Sequence, residues 1–314
     1  MSSGPRMRVD AVLLMGPTCS GKSALALELA REFPVEIVSV DSAMVYRGMD
    51  IGTAKPPREI LATVPHHLID VCDPAEPYSA GRFRREAEAL IAQIRARGRV
   101  PLLVGGTMLY FRALTGGLAP LPEAQPEIRA RIDSRAASVG WPALHAELAI
   151  HDPRAASRIR PTDGQRIQRA LEVLEITGQP ISALQQAGAP STLQFAHFAL
   201  LAAERAELNR RIDGRFVEMM QHGFLEEVER LHRRGDLDPE LPSIRAVGYR
   251  QLWAHLDGRG SLAEAVEAGQ RATRQLAKRQ MTWLRADAAV AWIRGLEEGE
   301  LEAIRGTLDY SVPH

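Results

Sequence analysis

The sequence predicts an α/β chain in which a doubly wound parallel sheet is interrupted by an all-helical insert. Three observations predict it. Short apolar runs alternate with helical patterns over the first third of the chain. One such run, residues 10–15 (DAVLLM), leads directly into a glycine-rich turn and a helix-forming stretch, the order a phosphate-binding strand, loop and helix require. Between residues 116 and 126 glycines and prolines break the rhythm, and residues 127–184 carry helical periodicity with no strand signal.

Composition bounds the class of protein. The 314 residues are 45% hydrophobic, enough to bury a substantial core. Lysine plus arginine and aspartate plus glutamate both number 39, so bulk charge gives no argument for nucleic acid; only a local basic patch could. Two cysteines, Cys19 and Cys72, make no disulfide framework, and a reducing cytoplasm is the expected compartment. Residues 1–10 do not read as a signal peptide and no apolar run reaches about 18 residues. No membrane contact is therefore expected, and a monomer is the separate expectation for its assembly. Lysine is retained at only three positions, Lys22, Lys55 and Lys278, in a chain that otherwise uses arginine. A compact ammonium is one reason for such retention, with chance left open for the last two.

The elements follow in order. Gly16, Pro17, Thr18, Cys19, Ser20, Gly21, Lys22 and Ser23 match the phosphate-loop pattern G-x-x-x-x-G-K-[ST] at every fixed position, which makes the fold P-loop NTPase-like. Loop N–H groups and the start of the helix over 24–31 surround an anion, Lys22 adds a mobile charge, and Ser23 can offer its hydroxyl to Mg²⁺. A strand over 35–40 ends at Asp41, a carboxylate at the sheet's C-terminal edge and a candidate base; a helix cap is the alternative reading. Residues 43–57, rich in glycine and proline, form a loop over the site. A third strand is expected over 66–71. Its paired His66 and His67 are rejected as metal ligands, because neighbouring strand residues face opposite sides and no further His/Cys cluster lies at ligand spacing. A helix over 79–97 buries Phe83, Ala87, Leu90, Ile91 and Ile94 and stops at Gly98. The strand over 100–104 ends in Gly105, Gly106 and Thr107, where glycine permits close backbone approach and threonine brings a hydroxyl to the same edge.

The expected domains are 1–118, an insert over 119–190, and 191–314. In the insert, Arg158, Arg160, Arg166 and Arg169 surround Asp163 and Gly164, and a helix over 165–177 ends at Gly178. A joint at 187–192 precedes a strand over 195–201; the remainder reads as helical. A helix over 204–234 puts Arg211 and Arg215 one turn apart, suited to an anion or to surface ion pairs. Within 270–285, Arg271, Arg274, Lys278 and Arg285 recur at helical spacing with no acid among them, beside Trp283. Such a stripe suits RNA, with a solvated face as the alternative.

A phosphate loop alone fits a motor, a kinase, a GTPase or another transferase. The only asparagine, Asn209, precedes Arg210, so the guanine-reading motif is missing. Where a motor places an acidic strand end, this chain has Gly105 to Thr107. Transfer from a phosphorylated donor, with Asp41 as base, remains.

GPTCSGKS, DSAMVYRGMDIGTAKP, LLVGGTMLYFRAL, QRIQRALEV, SIRAVGYRQLW and KRQMTWLR resemble, in order, the signature segments of the bacterial tRNA dimethylallyltransferase (tRNA isopentenyltransferase) family, over about residues 12–292. The resemblance implies transfer of a dimethylallyl group from dimethylallyl diphosphate to N6 of the adenosine 3′ of the anticodon, which must flip to react. It implies that residues 16–23 hold the diphosphate, with Mg²⁺ on Ser23 and help from Arg215 and Arg211, and that Asp41 takes the N6 proton beside Thr107. Contacts to tRNA are implied at Asp41, Ser42, Ala43, Met44, Thr107 and Arg129, and at Gln165, Ile167 and Gln168 with Arg166 and Arg169. They continue at Arg245, Ala246, Val247, Gly248, Tyr249 and Arg250, then at Lys278, Arg279, Gln280, Met281, Thr282, Trp283, Leu284 and Arg285. The insert is expected to clamp the anticodon stem-loop, with donor and acceptor entering a channel from opposite ends. Cys19 departs from the family's common alanine, and little effect is expected because its side chain need not face the phosphates. A small-molecule kinase is the alternative function.

Overall fold

A computed structural model of the chain describes residues 8–117, 119, 121–185, 191–201, 204–295 and 298–312. Pro120 of the first expected joint and residues 187–190 of the second lie outside them. The chain divides into two compact units, Met1–Leu114 with Thr192–His314, and Thr115–Ser191.

The first unit begins with β1 (Ala11–Met15), α1 (Lys22–Glu32), β2 (Val35–Val40), α2 (Arg58–Thr63), β3 (His66–His67), α3 (Ala80–Ala96), β4 (Val100–Gly105) and α4 (Met108–Thr115). β1, β2 and β4 are buried along their whole length, as continuous apolar runs must be in a parallel sheet covered on both faces. The second unit holds α5 (Pro126–Val139), α6 (Trp141–His151), α7 (Pro153–Ala156), α8 (Gly164–Thr177) and α9 (Ile181–Leu184) around Ile132, Leu144, Leu148, Ile167 and Leu171. Asp163 caps α8 by accepting from Arg166 N, and Gly178, at φ 67°, ends it in the left-handed conformation glycine permits. The chain returns through β5 (Phe195–Leu200), α10 (Arg205–Gln221), α11 (Phe224–His232), α12 (Tyr249–Leu256), α13 (Leu262–Ala286), β6 (Ala291–Ile293) and α14 (Glu298–Ser311).

The described strands form one six-stranded parallel sheet in the order β3-β2-β4-β1-β5-β6. From β1 the chain passes over β4 to reach β2, whereas β5 lies on the other side of β1. The order therefore reverses between β1 and β4, and their carboxyl ends open a crevice. Alternate residues feed two cores. Leu13, Val38 and Leu103 pack with α3, α4 and the α10 to α13 helices, while Val12, Ile37 and Leu102 pack with α1 and α14. Among the described residues no helix is long and apolar enough to cross a membrane.

Three expectations are corrected. The third strand ends after His67 because Leu68 and Asp70 take φ of 61° and 57°, incompatible with continued pairing. The helix over 204–234 breaks at Gly223, φ 94°, and re-aims as α11. Residues 291–293, read as part of a helical tail, pair with β5 instead; three residues show too little periodicity, and the open sheet edge decides their state.

Candidate functional site

A cavity of about 800 Å³ occupies the crevice. The phosphate loop with Lys22 and Ser23, Asp41 to Met44 after β2, Gly106 and Thr107 after β4, Arg215 of α10, and Arg279, Gln280 and Trp283 of α13 all line it. Residues from five separate stretches of sequence thus meet at the sheet's carboxyl edge.

The loop enters α1 through Gly21 at φ 95°, which turns successive N–H groups toward the helix start. Lys22 donates from Nζ to Pro17 O at 3.2 Å. Burial pushes its ammonium down to about 8; Asp41 works against that shift and Arg215 adds to it. An anion placed here would restore the charge. Ser20 Oγ is buried with no hydrogen-bond partner among the described residues. Cys19 does face the site: it lines the cavity, and its Sγ lies 3.7 Å from Arg215 Nη1. Its side chain thus reaches the cavity, a placement left open by the reading that it need not face the phosphates; φ is 60° at this residue. Arg211 pairs with Glu207 at 2.9 Å and lines a smaller adjoining cleft with Arg215, so Arg215 alone of the two reaches the main cavity.

Asp41 caps a turn rather than a helix. Its Oδ1 accepts from Ala43 N at 2.8 Å and Met44 N at 3.2 Å, which fixes the carboxylate, and Oδ2 makes no hydrogen bond with a described residue. Thr107 Oγ1 accepts from Ser42 N at 3.1 Å and lies 3.4 Å from Ser42 Oγ, so it braces the turn that holds Asp41.

Of two further residues that build the site, Glu227 carries no signal in the motif reading, whereas Lys55 is marked in sequence only as a retained lysine. Glu227, 1% exposed, accepts from Asp50 N (2.9 Å) and Ile51 N (2.8 Å) on Oε2, and from Gly52 N (3.2 Å) and Tyr249 Oη (2.5 Å) on Oε1. One carboxylate thereby fastens the loop over the site to α11 and α12. An acid flanked by Phe224, Val228 and Leu231 on the apolar face of an amphipathic helix is the pattern that could have revealed it. Lys55, with only 3% of its side chain exposed, holds the same loop from below through Tyr46 O (2.6 Å), Asp50 (2.7 Å) and Asp70 (2.5 Å). Three acceptors around one ammonium explain why lysine is retained there.

Gln280, expected at the RNA surface, is buried instead. Its Oε1 accepts from Thr18 N at 2.9 Å and its Nε2 donates to Gly106 O at 2.8 Å, which pins α13 to both the phosphate loop and β4. Leu284 and Tyr249 are likewise core side chains. Arg271 and Arg274 pair with Glu267 and Asp213, so the stripe contracts to Lys278, Arg279 and Arg285, all exposed, with Thr282 and Trp283; Met281 is half-buried. Arg245, Ala246 and Val247 line the cavity, Gly248 opens α12 at φ 92°, and Arg250 is exposed.

In the second unit, Arg129 grips the fully buried Glu172 with two bonds of 2.9 and 3.1 Å, and Arg169 bonds the same carboxylate at 2.6 Å. These two arginines neutralise a core acid rather than stand free. Ile167 is buried, Gln168 bonds Asp133 at 2.6 Å, and Arg166 is exposed beside Asp163, next to Gln165.

Among the described residues no cluster of three His, Cys, Asp or Glu side chains could cage a metal. A divalent cation would share its donors with substrate phosphates, the usual habit of Mg²⁺. Ser23 fits that use: it lines the cavity, and its hydroxyl makes no hydrogen bond with a described residue.

Family models described as IPP transferase and isopentenyl transferase match residues 44–287 and 9–71. The chain is 58% identical over 294 residues to a tRNA dimethylallyltransferase of Ralstonia nicotianae, covering 91% of each. It is 59% identical over 282 residues to one of Thioalkalivibrio sulfidiphilus, covering 89% of this chain and 88% of that one. Among solved structures it resembles the full-length tRNA isopentenylpyrophosphate transferase of Bacillus halodurans at a TM-score of 0.69 and 36% identity, covering 96% and 97%. It also resembles a eukaryotic dimethylallyltransferase acting on tRNA at a TM-score of 0.75 and 26% identity, covering 94% of this chain and 76% of that one.

Proposed function

The chain belongs to the IPP transferase family, and from that premise we infer that it transfers a dimethylallyl group from dimethylallyl diphosphate to N6 of the adenosine 3′ of the anticodon in tRNA. The observation that carries the reading is one cavity in which the phosphate loop faces Asp41 and Thr107. The loop N–H groups, Lys22 and Arg215 receive the diphosphate. Ile212, Phe216 and Met219 line the same cavity as an apolar wall that suits a short hydrocarbon tail.

The allylic C–O bond breaks, its electron pair leaves with diphosphate, and the N6 lone pair forms the new C–N bond. Asp41 takes the N6 proton on the oxygen that the turn leaves free, while Oδ1 stays bonded to Ala43 and Met44. Lys22 and Arg215 stabilise charge that develops on the leaving group. Mg²⁺, when bound, would be held by Ser23 and the diphosphate and would neutralise further negative charge. Thr107 keeps the Asp41 turn in place beside the entering base. Exposed Lys278, Arg279 and Arg285 suit the phosphates of the anticodon arm, and the helical insert is read as a second hold on that arm.

Incubation with labelled dimethylallyl diphosphate, Mg²⁺ and unmodified tRNA tests this. Label should enter RNA with the native chain and not with Asp41→Ala, whose donor binding persists. ATP turnover without RNA labelling would favour a kinase and overturn the reading.

A further inference from the structure

Of the large apolar side chains left in solvent among the described residues, Leu109 on α4 (53% exposed) and Trp283 on α13 (42% exposed) are the two that line the cavity. Arg112 lies three residues beyond Leu109, on the same face of α4. Its guanidinium carbon sits 5.6 Å from the centroid of the Trp283 ring. Arg112 is exposed and forms no ion pair with a described residue, whereas Arg271 and Arg274 farther back on α13 are both neutralised. An indole, an unpaired guanidinium and an isobutyl group therefore form one exposed ledge on the rim of the cavity that contains Thr107.

An indole left in solvent forfeits burial, and a surface arginine above it recovers little of that. The pair does, however, offer a preformed planar surface with a net positive charge. A third planar group of matching chemistry would be flat, polarisable and tied to an anionic chain. Those are the properties of a single-stranded nucleobase, which stacks on aromatic rings and arginine planes. A lipid or an acidic peptide would use the charge but not the plane.

We propose that Leu109, Arg112 and Trp283 form a stacking ledge for the nucleobase that flanks the flipped adenosine. The proposal rests on the tRNA reading above and adds α4 to it; the family resemblance implies RNA contact over residues 278–285 and at Thr107, not at Leu109 or Arg112. Base flipping breaks stacking on both sides of the extruded nucleotide. The ledge supplies a replacement partner for one neighbour, so it holds the loop open while the adenosine reacts.

The test uses the full chain and an anticodon stem-loop RNA carrying 2-aminopurine at either neighbour of the target adenosine. At one of the two positions, binding to the native chain should quench the probe, and Trp283→Ala should abolish that quenching. Arg112→Ala and Trp283→Ala should each raise KM for RNA about tenfold, the scale of one lost base stack. The double variant should fall short of the product of the two, with KM for the donor and thermal midpoint unchanged. Trp283→Phe should rescue in part, and Arg112→Lys should not. Unchanged KM for RNA in both single variants, no quenching at either position, or full rescue by Arg112→Lys would overturn the ledge. Prenylation by the native chain is measured first: if it is present, such a result removes the ledge alone, and if it is absent the tRNA reading itself falls.

Discussion

Replacing Glu227 by glutamine removes one charge and one acceptor from the buried point that fastens the loop over the site. Four donors converge there: Asp50 N, Ile51 N, Gly52 N and Tyr249 Oη. A glutamine oxygen can serve the first two, and its NH₂ then faces the others. The tyrosine hydroxyl can turn and accept, but the Gly52 N–H cannot; it loses its bond to a charged acceptor and keeps only the Tyr249 hydroxyl beside it, at a cost of about 1–3 kcal/mol. The two retained bonds lose their ionic partner, at roughly 1 kcal/mol each. The loop has no inward retreat, since a Cβ at Gly52 would already lie 2.1 Å from the Phe224 ring. The expected destabilisation is thus about 3–5 kcal/mol. With a urea m-value on the order of 3 kcal/mol/M for a chain of this size, the unfolding midpoint should fall by roughly 1–1.7 M. Because Gly52, Thr53 and Ala54 line the cavity, KM for the donor should rise more than kcat falls. A Glu227→Gln variant that unfolds within about 1 kcal/mol of the native chain and keeps its donor KM would refute the reasoning.

Three further outcomes are expected. The Lys22 ammonium of the free protein loses its proton near pH 8, and an anion favours the charged form. Diphosphate affinity should therefore weaken as pH rises through 8, and binding above pH 8 should take up a proton; calorimetric heats that do not depend on buffer ionisation would contradict this. Gly105→Ala should prevent folding because its Cβ would lie 2.0 Å from Val40 O, which is backbone of the paired strand. Gly106→Ala should fold, since its Cβ meets the movable Gln280 amide at 2.4 Å, yet lose activity as that amide releases Thr18; equal soluble yield of the two would count against the distinction. Lys278→Glu combined with Arg279→Glu should weaken tRNA binding and flatten its salt dependence with donor affinity unchanged, as measured by filter binding over a salt series; an unchanged slope would show that these charges only face solvent.

The phosphate loop, Asp41 and Thr107 were legible because each sits at the end of a strand whose apolar run announces it. A parallel sheet then brings all three ends to one edge without further information. The cap reading and the base reading of Asp41 look like rivals in sequence, but the cap occupies only one oxygen of the carboxylate and the proposed base needs only the other. The basic stripe was legible as a local pattern, but its charge balance was not: Glu267 lies one turn back on the same helix, whereas Asp213 comes from α10. Arg129 and Arg169 looked like RNA contacts until Glu172 took them up inside the insert.

The sequence by itself determined the alternation of strands and helices in the sheet, the presence of a helical insert, and the phosphate-loop pattern, because those rest on periodicity and on residues within a few positions of one another. Only the tertiary structure decided that Glu227 and Lys55 hold the loop over the site, that Gln280 joins α13 to the phosphate loop, that residues 291–293 pair as a strand, and that Cys19 meets Arg215. Each of these depends on a partner that is remote in sequence or on an open sheet edge, and neither is written in the local pattern of the residue that uses it.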